Sequence, residues 1–404
     1  MLTWSEATHV LCVRLDNMGD VLMTTPAMQA LVESKAGRRL TLLTSRASAS
    51  LAPHLDMVDK VIGWDAPWVR HDGPMDAANL AADIRDGAAM LAGQSFDAAV
   101  IFTVYSQSAL PAAMLCSLAG IPLRLAHCRE NPYGLLTDWV RDVEPDTPPR
   151  HEAQRQLDLV AEVGATALDR RLRFALLPAD RDAVTRLLSS LHARQHGRPC
   201  IVLHPGATAS SRRWPADRFA SVARDLAMRI GALVCVTGAK SESALVASVC
   251  ALAAHRSVVP MAGRLSLGEM GALLDAADLL VSNNSGPVHM AAAIGTPVVD
   301  LYALTNPQHT PWMVPSRVLF KDVPCRYCYK SACPQGHHRC LNDVTPNEVV
   351  GAALALLDGA AAPAAAMPSV VRRRDPGLPV RGSSEQDIPV QGIPREEAHV
   401  HARH

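Results

Sequence analysis

Short apolar runs recur along most of the chain. Each is followed by a small polar turn and then by a longer stretch with helical spacing. Residues 9–15 form the first such run. Gly19 and Asp20 open a turn, and residues 21–32 have helical spacing with Pro26 near their first turns. Residues 40–44, 60–63 and 98–102 read as further strands, and 77–93 and 107–119 as helices. Strands alternating with helices predict a parallel sheet covered on both faces. The Pro-rich segment 144–149 breaks the pattern, a helix follows over about 150–163, and a linker runs near 170–179. The alternation then restarts at 200–204 and continues through 232–237, 257–261, 278–282 and 297–303. This predicts two similar α/β halves, residues 1–175 and 176–360, with a ligand cleft between them.

The turn at 282–289, Ser-Asn-Asn-Ser-Gly-Pro-Val-His, lies between two of these strands and opens a short helix rich in small residues. Its polar residues are expected to cap the helix. A helix start has free backbone N–H groups and partial positive charge, which suit a phosphate or diphosphate. Ser285 and Gly286 are therefore candidate phosphate contacts, with Asn284 and His289 beside them; a buried, hydrogen-bonded core histidine is the other reading of His289. At the first turn, Met18 and Gly19 precede Asp20, whose carboxylate could accept a proton from a substrate hydroxyl or simply cap the helix. The loop 204–215, His-Pro-Gly-Ala-Thr-Ala-Ser-Ser-Arg-Arg-Trp-Pro, offers Thr208 as a donor and Arg212 and Arg213 as charges for a diphosphate leaving group. A solvated basic loop anchored by Trp214 is the alternative. Asp180-Arg181-Asp182 has D-x-D spacing but reads as an acidic helix start. No Gly-x-Gly-x-x-Gly fingerprint follows the first strand.

Composition narrows the picture further. The 404 residues carry 39 Lys plus Arg against 39 Asp plus Glu, so no bulk positive field is available for nucleic acid. The first residues lack a basic, apolar leader pattern, and no apolar run has membrane-spanning length, so a cytoplasmic protein with reduced thiols is expected. Four of the ten cysteines, Cys325, Cys328, Cys333 and Cys340, fall in C-x2-C-x4-C-x6-C spacing beside His337 and His338. That set could hold a tetrahedral zinc, or be free thiols on a loop at the cleft rim. Residues 361–404 lack apolar periodicity and are expected to be disordered; their His399, His401 and His404 read as solvated.

Taken together, the stretch Val13-Arg14-Leu15-Asp16-Asn17-Met18-Gly19-Asp20-Val21-Leu22, the loop 204–215, the segment 284–292 and the cysteine segment 325–340 resemble glycosyltransferase family 9, the ADP-heptose:lipopolysaccharide heptosyltransferases. The resemblance runs over about 9–357 in the same order. It implies a GT-B fold, with the acceptor mainly on the first Rossmann-like domain and the nucleotide-sugar on the second. It implies inverting, metal-independent transfer of a heptose from an ADP-sugar to a lipid-linked core saccharide, with no cofactor, at the cytoplasmic face of the inner membrane. Asp20 matches the family's proposed general base. Arg212 falls where many members have Lys, and Asn284 where many have Asp. Another nucleotide-sugar, or binding without turnover, are the alternative readings.

Overall fold

The computed structural model describes residues 2–69, 77–143, 150–191 and 197–359; the expected break at 144–149 and the tail 361–404 lie outside the described residues. The first half runs β1 (His9–Val13), α1 (Met18–Glu33), β2 (Arg39–Thr44), β3 (Lys60–Gly63), α2 (Ala77–Ala92), β4 (Ala98–Ile101), α3 (Leu110–Leu118), β5 (Leu123–Cys128), β6 (Asp138–Arg141) and α4 (Glu152–Ala161). The second runs α5 (Pro178–Ser190), β7 (Cys200–His204), α6 (Ala216–Arg229), β8 (Leu233–Val236), α7 (Ser243–Ala253), β9 (Val258–Pro260), α8 (Leu267–Ala276), β10 (Leu279–Asn283), α9 (Gly286–Ile294), β11 (Val298–Leu301), β12 (Ser316–Leu319), α10 (Arg339–Asn342) and α11 (Pro346–Leu357).

Each half is built on a six-stranded sheet whose pairings are all parallel. Their orders are β3-β2-β1-β4-β5-β6 and β9-β8-β7-β10-β11-β12, the same doubly wound topology twice. The middles of the central strands are apolar because helices cover both faces: Val10 to Cys12 and Leu279 to Val281 are fully buried. In such sheets the winding reverses at the central pair, so the crevice beyond the carboxyl ends of those strands is open to ligands. Those pairs are β1/β4 and β7/β10. The turns after β1, β7 and β10 hold the residues singled out above.

Helix α1 begins at Met18 rather than near Val21, so Pro26 lies inside the helix, not in its first turn. Its missing N–H would have bonded the Leu22 carbonyl. The Thr25 hydroxyl donates to that carbonyl instead at 2.6 Å, and accepts the Arg173 N–H at 2.9 Å. Asp180 lies in the first turn of α5, as an acidic helix start. Helix α11 is closed by a reciprocal cap, with Thr345 and Glu348 each accepting the other's backbone N–H.

Residues 150–175 are joined to the loop after β11. Glu152 N–H donates to Gln308 O at 2.9 Å, and His151 Nε2 lies 2.7 Å from Thr310 O. Gln308 Nε2 donates to Arg150 O, and Trp312 Nε1 to Arg170 O. Both sheets thus belong to one compact unit.

Candidate active site

Asp20 sits at the third position of α1, where its Oδ2 accepts the Asn17 N–H at 3.3 Å and completes the helix cap. Its other oxygen lies 3.4 Å from Arg14 Nη2, and its side chain keeps 14% exposure, enough to meet a ligand. The cap and the Arg14 contact therefore use different oxygens of one carboxylate.

Arg14 leaves the end of β1 fully buried and meets three acids. Its Nε lies 3.0 Å from Asp16 Oδ2 and its Nη1 donates to Glu152 Oε1 at 2.9 Å, in addition to the Asp20 contact. Glu152, the first residue of α4, also accepts from Gln156 Nε2 at 2.8 Å. Arg155 extends the network to Asp142 at 2.6 Å and to the Thr103 carbonyl. Burial would raise the Glu152 carboxyl, but Arg14 and Arg155 outweigh it and hold the group at about 2. Asp16 is pushed up to about 6, chiefly by burial against the opposing pull of Arg14. Burial also raises Asp20; Arg14 and Arg212 oppose the shift, and Glu152 adds to it.

From the second half, the loop after β7 ends in a short 3-10 turn, Ser210–Arg212. Asn283 holds it in place: its Oδ1 accepts the Trp214 N–H at 3.0 Å, and its Nδ2 donates to Pro205 O at 2.7 Å. Trp214 is buried, packs edge-on against Phe219 and donates to Val344 O. On the other side, Ser211 N–H donates to Ser331 O and its hydroxyl to Lys330 O, so the cysteine segment braces the same loop.

Asp20 and Arg212 line a single cavity of about 180 Å³, with Asp16, Gln107, Asn306, His309, Tyr329, Lys330 and others. Asp16, Ser106 and Gln107 also line a neighbouring cavity of about 330 Å³ in the first half, walled by Trp68, Phe102 and Pro111. The Gln107 amide donates to Asp16 Oδ1 at 2.5 Å between them.

The other candidate residues lie elsewhere. Arg213 turns back on its own loop, donating to Ala207 O at 2.7 Å and Thr208 O at 3.3 Å, and Thr208 is exposed beside it. Met18 and Gly19 face the start of α9. A Cβ on Gly286 would lie 2.5 Å from Met18 Cε, and one on Gly19 would lie 2.7 Å from His289 Cδ2. His289 is buried there, and desolvation holds it well below its usual range. Ser285 is the N-cap residue of α9 but does not cap it; its hydroxyl donates to Asn283 O at 3.1 Å. Asn284 does not cap α9 either, contrary to expectation. Its amide donates to Asp300 Oδ2 at 2.9 Å and to His309 O at 2.8 Å. Its partner on β11, Asp300, is a buried group whose carboxyl is raised well above normal by desolvation.

Cys325, Cys328, Cys333 and Cys340 line a small cavity with His337 and His338, and Cys325 Sγ lies 3.7 Å from His337 Nε2. Among the described residues, no three His, Cys, Asp or Glu side chains stand close enough together to share a metal ion. No helix among the described residues is long and apolar enough to cross a membrane. Sequence reasoning passed over Arg14, Asp16, Glu152, Asn283 and Lys330. The one available signal for Arg14 was a charge placed directly after an otherwise apolar strand.

Comparison with known proteins agrees with this architecture. The family profile described as Glycosyltransferase family 9 (heptosyltransferase) matches residues 88–338. Lipooligosaccharide heptosyltransferase 2 of Haemophilus ducreyi is 28% identical over 242 residues, which cover 56% of this chain and 69% of that protein. The family 9 glycosyl transferase of Veillonella parvula superposes with a TM-score of 0.72 at 22% identity, covering 89% of this chain and 99% of that one. The E. coli ADP-heptose lps heptosyltransferase II does so with a TM-score of 0.67 at 22% identity, covering 87% and 99%. The fold is GT-B. With the family profile spanning well over half of its length, the chain belongs to glycosyltransferase family 9 and is a glycosyltransferase.

Proposed function

We propose that this enzyme transfers a heptose from an ADP-sugar to a hydroxyl of a lipid-linked, lipopolysaccharide-core type saccharide, with inversion and without a metal ion. The observation that carries the reading is the shared cavity. A carboxylate from the first half and a guanidinium from the second line one space of sugar size. The relatives, a lipooligosaccharide heptosyltransferase and an ADP-heptose lps heptosyltransferase among them, support the substrate classes. The division at 175/176 then separates an acceptor half from a donor half.

In the reaction, the acceptor hydroxyl oxygen attacks the anomeric carbon as the bond from that carbon to the diphosphate oxygen breaks. Asp20 takes the hydroxyl proton, and the electron pair leaves with ADP. Arg212 stabilises the developing charge on the diphosphate, with Lys330 on the same wall. Trp68 and Gln107 in the adjoining cavity offer an apolar face and an amide for the acceptor sugar. Asp20 must be ionised to act, so turnover should rise with pH through its raised midpoint.

The test is ADP release from ADP-heptose in the presence of a lipid-linked inner-core saccharide. Asp20→Asn should lower kcat by about 10²–10⁴, the contribution of a positioned base. Wild-type turnover by that variant would reject the base. Turnover of UDP-sugars but not ADP-heptose would reject the donor, and loss of transfer in EDTA would reject metal independence. Tight ADP-heptose binding without transfer to any acceptor would favour a binding protein.

A further inference from the structure

Asp20 does not stand alone in the cavity wall. Its carboxylate is held from behind by a guanidinium that has no exposure to solvent, and that guanidinium is held by an acid from a helix more than a hundred residues away. Glu152 is itself fully buried, and its Oε1 receives two donors, Arg14 Nη1 and Gln156 Nε2. Its backbone N–H binds the Gln308 carbonyl, one residue before His309 of the cavity wall. An ionised carboxylate is costly to bury unless it is paired, and Glu152 is paired with the cation that also touches the base.

We propose that Glu152 is a positioning residue for the transfer reaction: it fixes the Arg14 guanidinium and, through it, the orientation and charge of the Asp20 carboxylate. The proposal rests on Asp20 being the base. Without the Glu152 charge, Arg14 would be shared by Asp16 and Asp20 alone, and its full attraction would make Asp20 a weaker base. The charged and titratable groups around Asp20 come from every neighbouring element: Arg14 just after β1, Asp16 in the turn, Glu152 on α4, Arg212 on the 3-10 turn, and Tyr329 and Lys330 on the cysteine segment. His309 lines the same cavity, and His289 on α9 packs against the adjacent Gly19. Of the two other acids on Arg14, Asp16 lines the cavity itself, whereas Glu152 does not. A charge-neutral isostere there should change Asp20 without entering the cavity.

The experiment uses Glu152→Gln in the full chain, with two readouts. Asp-selective ¹³C-carboxyl labelling, with Asp20→Asn to assign the signal, follows the Asp20 titration without any substrate. Steady-state ADP release from ADP-heptose gives kcat and KM. The Asp20 midpoint should move to lower pH, kcat should fall roughly ten- to hundredfold as the base loses its placement, and the donor KM should stay within about twofold. An unmoved midpoint together with wild-type kcat would overturn the proposal. If Glu152→Gln does not fold, Glu152→Asp serves: it keeps the charge but shortens the reach to Arg14, so kcat should fall while the midpoint holds. Wild-type kcat in Glu152→Asp would overturn the proposal as well. Should the unmodified enzyme not turn over ADP-heptose, the functional reading fails, and the ¹³C titration still decides whether Glu152 governs Asp20.

Discussion

The starts of α1 and α9 meet through two glycines, and substituting each by alanine should have different consequences. At Gly19 an added Cβ would lie 2.7 Å from His289 Cδ2 and 3.5 Å from its Nε2. The imidazole is buried and stands across from the His309 ring, 6.5 Å between centroids. A ring confined in this way cannot swing aside, so the helices must part. Overpacking of this kind costs about 1–3 kcal/mol. The better helix propensity of alanine returns up to about 1 kcal/mol, and set against the middle of that range, about 2 kcal/mol, this gives a loss of about 1–2 kcal/mol for Gly19→Ala. At Gly286 the contact would be closer, 2.5 Å, but with Met18 Cε, the free end of a flexible side chain that can rotate away. Gly286→Ala should therefore fall within about 0.5 kcal/mol of the unmodified protein. Urea unfolding followed by circular dichroism compares the two midpoints directly. If Gly286→Ala is the more destabilised, or Gly19→Ala is as stable as the parent, the packing argument is wrong.

Other outcomes follow from the buried polar groups. Asn283→Ala leaves the Trp214 N–H and the Pro205 carbonyl without their partner, so urea unfolding should show a loss of about 1–3 kcal/mol, and calorimetry should show weaker ADP binding as the Arg212 loop loosens. Arg14→Met leaves three acids without their shared cation, and the same unfolding assay should show a loss of about 3–5 kcal/mol at neutral pH. Asp16 binds its proton more tightly folded, at about 6, than at its ordinary 3.8, so its contribution to stability falls as pH rises between those values. Glu152 is the reverse case, its contribution being lost as pH falls from 4.5 towards about 2. Unfolding measured from pH 4 to 7 should therefore show a decline that is smaller in Asp16→Asn.

The central strands were legible in the sequence to within a residue or two, because burial on both faces leaves a run of apolar side chains in the middle of each. Strands β5, β6 and β12 were not. β5 carries Arg124 and His127, and the edge strands Asp138–Arg141 and Ser316–Leu319 are half exposed and hold charges in their short runs. Asp20 and Arg212 were legible because strand-turn-helix junctions in this topology point into the crevice. Residue type and spacing alone do not separate Arg212 from Arg213, and only the family resemblance singled out Arg212; the 3-10 turn directs it to the cavity and returns Arg213 to its own loop. Glu152 was invisible for a different reason. An acid at the first position of a helix is common, and only the fold shows that it lies beside an arginine 138 positions earlier.

The bonds between residues 150–170 and the 308–312 loop bear on how the enzyme exchanges its substrates. In the proposed reaction the donor enters and its nucleotide leaves between two halves that are joined by Glu152, His151, Gln308 and Trp312 and by the packing of α1 on α9. Parting the halves there would break several hydrogen bonds at once, and would also pull Met18 and Gly19 away from Gly286 and His289 where α1 packs on α9. Because Glu152 is part of this junction, the acid proposed to steady Asp20 is itself held by the contact between the halves.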